Sequence, residues 1–487
     1  LVKNYGRQKI LTDTEIITAE NVISVLDDAL KVHSSNNSDI NYLYNVFKGR
    51  YDILDRVKEV RPEINNKIVE NRANEFVTFK TGYLCGEPIQ YVGRSGRDNI
   101  SDGISDLNNK MLLANKAAKD RELAEWMYIC GQAYRMTLPN SWYINTEILP
   151  KLQNRQTDFV EDEAPFLTYV LDPRYAFVVY YSGLGEPPVM NVKYVKTKDN
   201  GIIYSVYTQS QYFEITEPGP DSGEVERKIT ARSLRPFNYS RLPIVEYPLN
   251  NARLGIVEIV LPIMNAINKV QSNRLDGIEQ FIQSLLVLYN CDIDDDIAKH
   301  IREFGLVKLK TTNGGEKADM KELAAELDQE QTQTLIDYMY QTMLNIIGMP
   351  NRNGGTSTSD TGSAVIMRDG WESAEARAKL DEMAFKASET EFLKQVLMIL
   401  RSTTGTPLTL ADIETKFTRR NYENALSKAQ ILTIMLQQPK IHPRLAFEHC
   451  GLFSDPEDAY KQSEAYYRSL TPEQQGINTD TGGVAIA

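Results

Sequence analysis

Residues 343–372 read MLNIIGMPNRNGGTSTSDTGSAVIMRDGWE. Three regimes follow one another here. Up to Ile347 the apolar residues belong to a helix. Residues 349–362 are polar and rich in Gly, Ser, Thr and Asn, so they cannot bury themselves and are expected to form a mobile loop. From 363 to 402 Val365, Met367, Trp371, Ala374, Leu380, Met383, Phe385, Phe392, Val396 and Leu400 recur as in one long helix. About 40 residues at helical rise would span roughly 60 Å, the length of a strut in a larger architecture.

Upstream of the loop the spacing predicts a helix from about Gln329 to Ile347. A longer one is expected over 256–290, where Ile263, Ile267, Val270, Ile278, Ile282 and Leu285 fall on or near one face. Pro262 must start, kink or break it. Between the two lie the acidic CDIDDD at 291–296, a short helix, a strand LVKLK at 306–310 and an Asn313-Gly314-Gly315 turn. Two adjacent helices of this kind can form a stalk with the small insert at its far end. The polar loop then emerges where the second stalk helix meets the strut. A ring of such subunits would have a central hole lined by helices and constricted by loops.

The N-terminal part reads as helical over 1–60, with a cap at Thr18, and again over 63–80. GYLCGEPIQYVG, between Gly82 and Gly93, is expected to be extended, and 104–135 to be helical. Residues 141–250 carry short β-branched and aromatic runs (AFVVYY, VKYVKT, IIYSVYTQ) between turn signals, a β-rich insertion in a helical protein. Residues 411–419 look extended, 422–470 give three short helices, and the tail after Thr471 is expected to be disordered. The fold class is therefore α+β, mainly helical.

The chain has 487 residues, enough for about three domains. Lys and Arg number 54 against 66 Asp and Glu, a net charge of −12, which argues against a strongly basic nucleic-acid clamp. No apolar run reaches the ~18 residues of a membrane span, and no signal-peptide core is visible. The protein is expected to be soluble and made in the cytosol. It opens at Leu1 in place of Met, so its extreme start is expected to be trimmed. Cys85, Cys130, Cys291 and Cys450 are far apart and form no CxxC pair, which removes a zinc ribbon or thioredoxin-type site.

Enzymatic motifs are scarce. GxxxxGK[ST], GxSxG, HExxH and a GxGxxG at a strand–helix junction are all missing. No catalytic residue, metal or cofactor is therefore expected. His33, His300, His442 and His449 read as surface or helix-terminal residues. The carboxylates Asp292, Asp294, Asp295 and Asp296 could hold a cation as in a two-metal nuclease, but a solvated turn capping the next helix explains them better. Residues 422–451 could imitate a helix-turn-helix regulator, but the second helix offers only Arg444 as a cation. These two are rival readings.

Four stretches carry a resemblance. NKIVENRANEFVTFKTGYLCGEPIQY (66–91) holds a TGYL-x-G-x-P-I-x-Y pattern at Thr81, Gly82, Tyr83, Leu84, Gly86, Pro88, Ile89 and Tyr91. The others are YVLDPRYAFVVYY (169–181), LPIVEYPLNNARLGIVEIVLPIMNAINKVQSNRLDGIEQFIQSLLVL (242–288) and the 343–372 stretch quoted above. In this order, over roughly residues 40–470, the chain resembles the portal proteins of tailed bacteriophages, in particular those of long-tailed phages of Gram-positive bacteria. It departs from the pattern where Gly255 opens the stem helix. Its loop is also unusually short of charge, with only Arg352 and Asp360.

The resemblance implies a homo-oligomeric ring, most often of twelve subunits, at one capsid vertex of the virion. Double-stranded DNA would pass through its centre during packaging, retention and ejection. By analogy residues 1–253 form the wing and 254–290 the first stem helix. Residues 291–327 form the clip, which docks terminase and later the head–tail adaptor. Residues 328–348 form the second stem helix, 349–362 the tunnel loop, 363–410 the long wing helix and 411–470 the crown. Major capsid and scaffolding proteins are further implied partners, and no membrane; a different capsid structural protein is the remaining alternative. The implied channel contacts are Asn351, Arg352, Asn353, Gly354, Gly355, Thr356, Ser357, Thr358, Ser359, Asp360 and Thr361 in the loop. Lys269, Arg274, Asp276 and Glu279 are candidates on the stem. Asp292, Asp294, Asp295, Asp296, Lys308 and Lys310 are implied docking residues of the clip.

Overall fold

A computed structural model describes residues 5–59, 61–94, 100–140, 163–209, 211–220, 227–233, 241–282, 285–289, 319–323, 329–351, 370–418, 425–453 and 456–469. The chain divides into two compact units, one of residues 1–47, 73–259 and 347–487, the other of 48–72 and 260–346. Helices and antiparallel sheets share the structure, as the α+β reading requires.

In the larger unit, helix α1 (Val22–Phe47) lays Val22, Val25, Leu26 and Ala29 onto a six-stranded sheet. That sheet holds β1 (Ile10–Thr12), β5 (Ala176–Tyr181), β6 (Pro188–Lys196), β7 (Ile202–Tyr207), β8 (Gln211–Glu217) and β9 (Lys228–Ser233) in this spatial order. β1 runs parallel to β5, with Ile10 opposite Val179, and the other pairs are antiparallel. Phe177, Val179, Met190, Val192, Val206, Phe213 and Ile215 form the buried side. Each such side chain contributes about 1.5–3 kcal/mol by leaving water.

His33 lies in this core and not at the surface. Its ring stacks on Phe177 at a centroid distance of 4.4 Å, and Nε2 lies 3.2 Å from the Arg174 carbonyl oxygen. Its position on the inner face of α1, four residues after Ala29, explains the burial. Burial disfavours the charged imidazole and lowers its pKa to about 4.

A second sheet joins β3 (Gln132–Pro139), β4 (Phe166–Leu171) and β10 (Ile244–Pro248) in the order β10-β3-β4. Strand structure thus begins at Gln132, ahead of the composition change after Pro139. Helix α4 (Lys116–Cys130) reaches β3 through Gly131, which sits at φ 80°. A Cβ there would lie 2.0 Å from the Arg253 carbonyl oxygen, so the turn demands glycine.

Helix α2 (Arg72–Cys85) continues through Gly82, where an extended chain was expected. Extension begins only at β2 (Gln90–Gly93), which pairs with β13 (Ile413–Lys416) inside the 411–419 stretch expected to be extended. The long helix expected after the loop is present as the 33-residue α7 (Trp371–Thr403). Its first expected residues, 363–369, fall outside the described part. Helix α3 (Ser101–Leu113) and helices α8 (Ala425–Leu436), α9 (Pro443–Cys450) and α10 (Pro456–Ser469) complete the unit. Helix α9 is joined to α10 by aromatic packing: Phe447 stacks on Phe453 at 5.2 Å and meets Tyr460 edge-on at 5.8 Å.

In the smaller unit the chain of residues 48–72 packs with the helices α5 (Ile256–Ile282, from residue 260 on) and α6 (Gln329–Ile347). Pro262 is accommodated inside α5. The helix stops at Ile282, and Leu285–Tyr289 is strand β11, antiparallel to β12 (Asp319–Leu323) with Leu285 opposite Leu323. A helix through 290 was expected. A short continuous apolar run such as LLVLY has no periodicity that separates helix from strand.

Candidate functional site

The stem residues are positioned by a repeating contact within the smaller unit. Met264, Asn268, Ser272 and Asp276 are four apart and so share one face of α5. Opposite them runs the extended chain of residues 64–70. The Glu70 backbone N–H donates to Asn268 Oδ1 at 2.8 Å, that of Ile68 to Ser272 Oγ at 2.9 Å and that of Asn66 to Asp276 Oδ1 at 2.7 Å. The match is geometric: four helical residues advance about 6.0 Å and two extended residues about 6.6 Å. An extended segment that lies beside a helix has no strand to pair with, and these three side chains satisfy its alternate donors. Below them, the Tyr51 hydroxyl lies 3.5 Å from Met264 Sδ.

Asp276 is the most heavily engaged of the four candidate stem residues. Its carboxylate also accepts from Asn66 Nδ2 at 3.0 Å and from Lys58 Nζ at 3.0 Å, and lies 3.1 Å from Arg56 Nη2. Burial alone would raise its pKa. The Asn66 donors and Lys58 outweigh that and hold the carboxyl below its ordinary value. Arg274 is engaged too: its guanidinium donates to Gln329, and to Gln333 Oε1 at 2.8 Å, so it ties α5 to α6. Lys269 is exposed and Glu279 is half-buried. Of the four, Arg274 joins α5 to α6, Asp276 binds the chain of residues 56–66, and Lys269 is the cation turned to solvent.

At the end of α6 the chain enters the loop through Gly348, at φ 64°. The left-handed conformation ends the helix, and a Cβ at this glycine would lie 2.5 Å from Arg377 Cγ. Asn351 is half-buried; Arg352 to Thr361 lie outside the described residues. So do Asp292, Asp294, Asp295, Asp296, Lys308 and Lys310, together with the expected strand at 306–310 and the tail. Among the described residues no group of His, Cys, Asp and Glu could hold a metal ion, and no helix is long and apolar enough to cross a membrane.

The long helix is anchored by a buried ionic cluster that sequence reading did not single out. Glu389 on α7 accepts from Lys116 Nζ at 2.9 Å, Arg135 Nη1 at 3.1 Å, the Tyr247 hydroxyl at 2.8 Å and the Tyr91 hydroxyl. Asp120 accepts from Lys116 Nζ at 2.6 Å and from Arg135. Two cations meet two carboxylates, and two phenols complete the hydrogen bonding. Burial would raise the Glu389 pKa, but Lys116 and Arg135 hold it low. These partners come from α4, β2, β3, β10 and α7, so no local spacing could have announced them. At its N-terminal end α7 is held by aromatic rings: Trp371 lies 6.2 Å from Phe79 and 6.1 Å from Tyr83, and the Tyr83 hydroxyl donates to Glu375 at 2.9 Å. The described chain on either side of residues 352–369 is thus held, at Gly348 before them and at Trp371 after them.

Comparison with known proteins bears on these elements together. No curated protein is detectably similar in sequence. Among solved structures, a chain from the neck of an empty GTA particle computed with C6 symmetry is similar at 11% identity and a TM-score of 0.41. The alignment covers 83% of this chain and 95% of that one. The family described as "Phage portal protein, SPP1 Gp6-like" matches residues 27–469, which include the stem helices, the loop, the strut and the C-terminal helices. Nothing in these comparisons supports a nuclease or a sequence-specific regulator. The match spans nearly the whole chain, and the protein belongs to the SPP1 Gp6-like family of phage portal proteins, with the DNA-channel role of that family.

Proposed function

We propose that the chain is one subunit of a closed ring, of twelve copies in the virion, at the portal vertex. Double-stranded DNA moves along the ring's axis. On this reading residues 291–327 form the clip that docks terminase and then the head–tail adaptor, 349–362 the tunnel loop, and 411–470 the crown. Capsid and scaffolding proteins surround the wing. The observation that supports the reading is the family match over residues 27–469.

The conduit is passive. Each phosphate that a wall neutralises releases counterions, and the slope of log K against log salt changes by about 0.9 per contact. A channel that passes a genome must keep that number small. Helix α5 favours this: of its two cations, Arg274 is engaged by Gln329 and Gln333, which leaves Lys269 as the exposed one. The loop is formally neutral, with Arg352 and Asp360 as its two charges. Its Asn, Ser and Thr groups can touch phosphates without ionic capture. The chain lacks a phosphate-cradling motif, so the energy comes from a separate motor, and purified protein is expected to hydrolyse no ATP.

The test is a packaging assay with residues 351–361 deleted. The expected result is altered DNA translocation or retention by particles that still assemble. Unchanged packaging and unchanged genome retention would remove the loop from the mechanism.

A further inference from the structure

Helix α7 has two apolar faces. Ala374, Ala378, Phe385, Phe392 and Val396 are buried in the larger unit. On the opposite side Ser373, Ala376, Leu380, Met383 and Ala387 are all exposed, with Leu380 at 62% and Met383 at 68%. Their spacing is three, four, three, four. That is the seam of a helix built to receive another helix, with small residues at both ends and large ones in the middle. The charges beside it are also sorted. Glu375 takes the Tyr83 hydroxyl, Asp381 takes the Tyr128 hydroxyl at 2.9 Å and lies 3.7 Å from Lys80, and Glu382 pairs with Lys386 at 2.6 Å. Arg377 and Lys379 stay exposed on either side of Leu380, and Glu372 lies beyond the seam's end.

Helix α6 offers the counterpart. Leu335, Tyr338, Thr342 and Ile346 follow three-four-four spacing along one face, with Leu335 48% and Tyr338 68% exposed. Its sequence, QEQTQTLIDYMYQTMLNII, contains Glu330 and Asp337 and no Lys or Arg. A ring is built from head-to-tail contacts, in which one face of a subunit meets a different face of the next. These two stripes, one flanked by cations and one on an acidic helix, have that relation.

We propose that the α7 seam of one subunit packs against the exposed stripe of α6 of the adjacent subunit, making Leu380 and Met383 central contacts between copies. This rests on the ring reading above. The test uses the full chain in three forms. The wild type first establishes whether rings form; if it yields monomers only, the ring reading fails, and the seam is not what was tested. Given rings, the double variant Leu380→Glu/Met383→Glu should shift the assembled mass to that of the monomer while its circular dichroism spectrum stays that of the folded wild type, since both side chains face solvent in the subunit. The pair Tyr338→Cys/Leu380→Cys should, on oxidation, give a ladder of dimers, trimers and higher covalent species on a denaturing gel, with neither single variant doing so. Rings that persist in the double Glu variant would overturn the proposal. Cross-linking confined to single chains would overturn it as well. So would normal rings that fail only to enter capsids, because the seam would then belong to a capsid protein.

Discussion

At the residue scale the account depends on buried or half-buried charges whose partners are distant in sequence. Asp276 is the acceptor that fixes residues 56–66 against α5. Asp276→Asn keeps the shape but loses the two cation contacts, and should lower stability by roughly 1–3 kcal/mol, read as an earlier urea or thermal transition. The pH dependence has a definite sign. The folded carboxyl titrates below the unfolded one, so its contribution is complete above the unfolded value near 4 and is lost as pH falls through the lower folded value. The gap between wild type and Asp276→Asn should therefore close in acid and be constant from pH 6 to 8. Glu389 is the more severe case. Removal of its charge leaves Lys116 and Arg135 in a dry interior, a loss of about 3–5 kcal/mol. Glu389→Gln should melt or aggregate well below the wild type, whereas Lys394→Gln on the exposed side of the same helix should change little.

At the element scale, the described residues that flank the 352–369 segment are held by neighbours, Gly348 beside Arg377 and Trp371 beside Phe79 and Tyr83. Gly348 carries the reversal at the end of α6. Gly348→Ala should cost about 1 kcal/mol for the positive φ, with a further loss from the Arg377 stem that the new Cβ would displace, measured as a lower melting temperature. How much of this was legible varies by element. Helices α5, α6 and α7 and the β-rich stretch were readable because long periodic runs and turn signals are local properties. The end of the first stem helix was not: LLVLY reads equally as helix or strand, and its partner Asp319–Leu323 is 30 residues away. Extension at Gly82 failed for a related reason, because a turn residue inside an otherwise apolar-periodic stretch was outvoted by packing of Phe76, Val77 and Leu84. Of the candidate site, the stem charges were found by type, but their roles were not. Nothing within α5 tells that Asp276 answers Asn66, 210 positions earlier, or that Glu389 answers Arg135.

At the scale of the whole molecule, the net charge is −12 and residues 349–362 carry only Arg352 and Asp360, so the proposed conduit is expected to hold DNA weakly. Placing lysines in the loop, as in Thr356→Lys/Ser357→Lys, should raise the salt sensitivity of DNA association with assembled rings and slow packaging, since each new cation adds a phosphate contact. An unaltered salt dependence would show that these positions never meet the duplex. The central claim, a ring whose axial opening passes DNA, is tested most directly by imaging the purified protein by electron microscopy. The account predicts rings of about a dozen subunits with an open centre. A lone monomer under all conditions, or a closed assembly with no axial hole, would contradict it.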